Sequence, residues 1–162
     1  MKFNNDSLRK AVKEWFNDQQ KAESRYGHIS TWDTSNVTDM SNLFNFSDAQ
    51  CFNENISSWD VSQVTTMSLM FAECRDFNQD ISGWDVSQVT DMVSMFYGAD
   101  AFNQDIGKWN VSQVTDMRGM FAYAAAFNQD INTKEVTRSD GTTYVAWNVS
   151  QVKDMTMMFY RA

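Results

Sequence analysis

Few residues in this chain, apart from its carboxylates, are able to do chemistry. His28 is the sole histidine, and Cys51 and Cys74 are the only two cysteines. A Cys–His nucleophile pair would have to bring His28 onto one of these thiols together with an orienting group, and nothing in the spacing requires that. The cysteines lack the paired spacing of a zinc site, and neither an Asp-x-Asp-x-Asp-Gly calcium loop nor a glycine-rich phosphate loop occurs. Acidic residues are abundant, but Asp33, Asp60 and Asp85 fall at corresponding positions, continued by Asn110 and Asn148. Copies of one carboxylate share one kind of environment, whereas acid–base catalysis needs two whose environments differ. The expectation is a chain that is not an enzyme and uses no metal or cofactor.

The elements that position these side chains follow from an internal period. Trp32, Trp59, Trp84, Trp109 and Trp147 each open a similar block, at spacings of 27, 25, 25 and 38 residues. Two extra residues between Phe44 and Phe52 and thirteen between Ile131 and Trp147 explain the irregular steps. Ile81, Trp84, Val86 and Val89 have the apolar spacing of a leucine-rich repeat, which predicts a short strand at Trp84 to Val86. Val89, Met92, Met95, Phe96 and Ala99 then recur at intervals of three and four, the stripe of a short helix. The predicted fold is an α/β solenoid, a leucine-rich-repeat-like stack of strand-plus-helix units. Trp32, Trp59, Trp84, Trp109 and Trp147 form one core ladder, and Met40, Met67, Met92, Met117 and Met155 form another. Residues 1–28, with Leu8, Ala11, Val12, Trp15 and Phe16 on one helical face, are read as an N-terminal helical cap. Residues 29–162 are read as five units carrying a hairpin insertion at 132–146, the whole making one domain.

Two features are candidates for binding. The first is the row Asp33, Asp60, Asp85, Asn110 and Asn148, which alternates with the strand core and suits either a concave binding face or a hydrogen-bonded structural ladder. The second is the insertion, where Asp140-Gly141 lies between two β-rich arms and Arg138 and Tyr144 are the expected contact residues. Tyr97, Arg118 and Tyr123 vary along the predicted helical side and are expected to add contacts. His28, beside Gly27, is read as structural, and the two cysteines as free thiols.

The chain has 162 residues and a net charge of −8, which disfavours nucleic acid and anionic membrane as partners. No apolar run approaches the roughly 20 residues that span a bilayer, and Met1 opens onto a polar stretch rather than a signal peptide. No membrane insertion by this segment is expected. A cytoplasmic location therefore stays open alongside an external one.

The run Trp84-Asp-Val-Ser-Gln-Val-Thr-Asp-Met92, with its trailing Met95-Phe96 and Phe102-Asn-Gln-Asp-Ile106, resembles the repeats of BspA-like bacterial surface proteins and mycoplasma-type lipoproteins. The resemblance covers nearly the whole chain, including Trp15-Phe16 and Tyr26-Gly27-His28-Ile29. It implies a leucine-rich-repeat-like solenoid on a cell surface or secreted, with an adhesion role and no catalytic residues. The expected function is a non-enzymatic protein-binding or adhesion module with a protein partner. The alternatives are a structural spacer that self-associates end to end through its C-terminal end, and a ladder that binds cations or carbohydrate.

Overall fold

The computed structural model describes residues 1–162. Helix α1 spans Asn5–Asn17 and begins at a reciprocal cap, in which the Ser7 amide donates to Asn4 Oδ1 and the Asn4 amide to Ser7 Oγ, both at 2.9 Å. Its buried face is Leu8, Ala11, Val12 and Trp15. Asp18 ends α1 and caps α2, Gln19–Tyr26, by accepting from the Lys21 amide at 3.0 Å. Gly27, at φ 77°, turns the chain out of the helix, a conformation that a Cβ would strain. Short 3₁₀ turns follow at Ile29–Thr31 and Ser47–Ala49.

The expectation of an α/β solenoid built from leucine-rich-repeat-like strand-plus-helix units is overturned. The chain has two α-helices, both before residue 27, and one two-stranded antiparallel sheet. No strand lies at Trp84 to Val86, and no helix at Val89 to Ala99. The reason is visible in the hydrogen bonds. The amides of Met92, Ser94, Phe96 and Gly98 donate to the carbonyls of Asp116, Arg118, Met120 and Ala122 in the next block. Those of Met95, Tyr97 and Ala99 make three-residue turns to Met92, Ser94 and Phe96. An α-helix would need each amide to reach four residues back. Left-handed backbone at Leu69, Ser94 and Met157 (φ 58°, 51° and 58°) also interrupts any helix. The blocks meet through single parallel bridges, Asp39 to Thr66, Thr66 to Asp91, Asp91 to Asp116 and Asp116 to Asp154.

Apolar side chains form one continuous core. Phe44, Phe71, Phe96, Phe121 and Phe159 stack in sequence at 5.5 to 5.7 Å. Phe52, Phe77, Phe102 and Phe127 make a second column at 5.8 to 6.0 Å. Trp32, Trp59, Trp84, Trp109 and Trp147 are all buried. Each later indole N–H donates across the blocks, Trp59 to the carbonyl of Ile29, Trp84 to Ile56, Trp109 to Ile81 and Trp147 to Ile106. Met40, Met67, Met92 and Met117 are fully buried, whereas Met155 is 41% exposed. At the other end Arg9 of α1 donates to the carbonyls of Ser41 and Asp39 and pairs with the Asp39 carboxylate at 2.9 Å. The helices thereby cover the first block with both apolar and hydrogen-bonding groups.

Candidate functional site

Strands β1, Lys134–Thr137, and β2, Thr143–Ala146, pair antiparallel with Val136 opposite Tyr144. Asp140-Gly141 forms the tip, where Gly141 adopts φ 85° and donates to the Arg138 carbonyl at 3.0 Å. The Asp140 carboxylate accepts from the hydroxyl and amide of Thr142 at 2.7 and 2.9 Å, which holds its carboxyl below the usual range. Strand alternation sends Val136, Tyr144 and Ala146 towards the core and leaves Val145 exposed.

This alternation places Tyr144 over the neighbouring blocks, where its hydroxyl donates to the Lys108 carbonyl. The Arg138 guanidinium lies 4.4 Å from the Tyr144 ring centroid, a cation–π contact that fixes the arginine on a rigid platform. Together they wall a cleft of about 200 Å³ whose other side is formed by Ser82, Asp85, Lys108 and Asn110. Neither Arg138 nor Lys108 forms an ion pair. The cleft thus offers two free cations, one carboxylate, amide and hydroxyl groups and an aromatic face. Four residues singled out from the sequence, Asp85, Asn110, Arg138 and Tyr144, meet there.

The rest of the row is placed elsewhere. Asp33 and Asp60 line a separate open cleft of about 500 Å³, and Asn148 lines neither. All five accept from the amide of the serine two residues on, at 3.0 to 3.2 Å. These are turns closed by the side chain itself, so each row residue has a structural duty besides any contact it makes. No three His, Cys, Asp or Glu side chains are grouped to hold a metal. His28 bonds Ser30 through Nδ1 at 2.8 Å and abuts Trp15 edge-on, while Cys51 is exposed and Cys74 buried.

Residues that the sequence reading passed over include Asp39, Asp91, Asp116 and Asp154, which share the bridge positions between blocks. Arg118 pairs with Asp116 at 2.8 Å and approaches Asp154 at 3.7 Å. Recurrence of Asp-Met at 39–40, 91–92, 116–117 and 154–155 was the available signal.

The sequence model of the family described as Mycoplasma protein of unknown function, DUF285, matches residues 10–134 and 88–162. No curated protein matches the chain, and no solved structure does. No helix is long and apolar enough to cross a membrane.

Proposed function

We propose that this chain, which belongs to the DUF285 family, is a non-enzymatic protein-binding module that recognises its partner at the hairpin cleft. The observation that carries this reading is the Arg138–Tyr144 pair. These two residues belong to the insertion, outside the recurring blocks, and are held beside unpaired Lys108. A pre-ordered aromatic and arginine pair is the composition of an interface anchor. The resemblance of the blocks to BspA-like surface proteins supports an adhesion role at a cell surface.

Binding to immobilised extracellular-matrix proteins, measured for the intact chain and for Arg138→Ala and Tyr144→Ala, tests the reading. Loss of binding in both variants with unchanged melting is the expected result. Full binding by both variants would move recognition away from the hairpin.

A further inference from the structure

Tyr97, Tyr123 and Tyr160 line a second groove, of about 590 Å³, floored by Gly119 and Ala122 and flanked by Arg118. Tyr97 meets Tyr123 edge to face at 5.3 Å, and Tyr123 meets Tyr160 likewise at 5.4 Å. These rings are not products of the recurring pattern. Tyr97 and Tyr160 stand where other blocks have Ala72 and Ala122, and Tyr123 stands where they have Glu73 and Gly98. The small residues make room for the trio. A Cβ on Gly119 would come within 3.0 Å of Ser94 Oγ, and its φ of 59° already disfavours a side chain.

Of the five tyrosines, only Tyr26 and Tyr144 have hydroxyls bonded within the protein, so all three hydroxyls of the groove are free. Arg161 lies over Tyr160 at 5.4 Å and Tyr123 at 5.9 Å and forms no ion pair. The groove therefore combines aromatic ridges with hydroxyl and guanidinium donors, and a free positive charge sits at its rim.

We infer that this groove binds a proline-rich segment of another protein in the polyproline II conformation, with an acidic residue beside the proline run. Such a segment exposes backbone carbonyls that its own chain leaves unpaired and that the three free tyrosine hydroxyls can donate to, and its pyrrolidine rings pack against aromatic side chains. The acidic residue answers Arg161. A sugar ring fits less well, because it lays one whole face on an open aromatic ring, whereas Arg161 lies over the Tyr160 and Tyr123 rings. Nucleic acid is opposed by the charge of −8, and a second copy of this chain contains no proline to offer.

The test is amide chemical-shift mapping of the intact chain against three probes: capped decaproline, the same peptide ending in two aspartates, and cellohexaose. Decaproline is expected to shift Ser94, Gly119, Tyr123 and Met157, and the aspartates to tighten binding in a salt-sensitive way. Tyr123→Ala is expected to weaken binding about tenfold or more. Tyr97→Phe and Tyr160→Phe, which keep the rings and remove the hydroxyls, are expected to weaken it a few-fold and carry the comparison if Tyr123→Ala does not fold. Silence with millimolar decaproline, shifts confined to other residues, or groove shifts with cellohexaose alone would each overturn the inference.

Discussion

The indole N–H of Trp147 donates to the carbonyl of Ile106 at 2.8 Å across a sequence separation of 41 residues, where Trp109 reaches Ile81 across 28. The difference, 41 − 28 = 13, is the length of the segment Lys134 to Ala146. The hairpin is thus spliced into the chain without displacing the indole bond that follows it. Excising Lys134–Ala146 would leave Asp130-Ile-Asn-Thr-Trp147, matching Asp105-Ile-Gly-Lys-Trp109. It would also release Trp147 from its left-handed backbone at φ 49°. The shortened chain is expected to unfold cooperatively within about 1 kcal/mol of the parent, as read by urea denaturation. Collapse of the cooperative transition would show that the core contacts of Val136, Tyr144 and Ala146 are needed for folding.

The indole bonds are expected to matter beyond the volume they fill. Trp84→Phe keeps most of the ring and removes the indole bond to the Ile56 carbonyl, which still accepts from the Trp59 amide, at an expected loss of about 0.5 to 1.5 kcal/mol. Trp84→Ala adds a cavity and should lose about 3 to 5 kcal/mol. An unchanged stability in Trp84→Phe would mean that the hydrogen bond contributes nothing.

Thiol chemistry should separate the two cysteines. Burial pushes the Cys74 thiol up to about 12, helped by the Glu73 charge, and its Sγ donates to the Phe44 carbonyl at 3.4 Å. Cys51 is exposed. A thiol-specific disulfide reagent at neutral pH should therefore titrate one group in the folded chain and two in denaturant. Because Cys74 holds its proton more tightly when folded, stability should be fully present below its unfolded value of about 8.5 and decline as pH rises towards 12. Rapid reaction of both thiols in the native state would contradict this placement.

Acid should destabilise the chain for the opposite reason. Asp33, Asp80, Asp140 and Asp154 are held below their ordinary values by hydrogen bonds from Ser35, Ser82, Thr142 and Thr156. Each contributes stability above its unfolded value of about 3.9, and that stability is lost as pH falls through the lowered native value. The urea midpoint should hold steady from about pH 7 to pH 5 and fall below about pH 4. A midpoint unchanged at pH 3 would show that these turns do not stabilise the fold.

The 25-residue period and the buried tryptophans were legible because large apolar side chains at fixed spacing have few places to go. The Asp140-Gly141 turn was legible because Gly141 sits at a φ that glycine adopts without strain. The backbone between blocks was not. Val89, Met92, Met95, Phe96 and Ala99 have the spacing of a helical face, and the same spacing serves a run of turns whose alternate amides bond the next block. What decides between them is left-handed backbone at Leu69, Ser94 and Met157, residues that give no hint of it. The gathering of Asp85, Asn110, Arg138 and Tyr144 depends on how the hairpin leans, and that is set by Tyr144 reaching Lys108, 36 residues earlier in the chain.

The bonds from Met92, Ser94, Phe96 and Gly98 to the following block bear on how the chain carries load. Drawn out by its two ends, it would not stretch uniformly. Each rupture would free one block of about 25 residues, roughly 85 Å of slack at ~3.5 Å per residue. Under load the chain would therefore lengthen in discrete steps, dissipating force at each one.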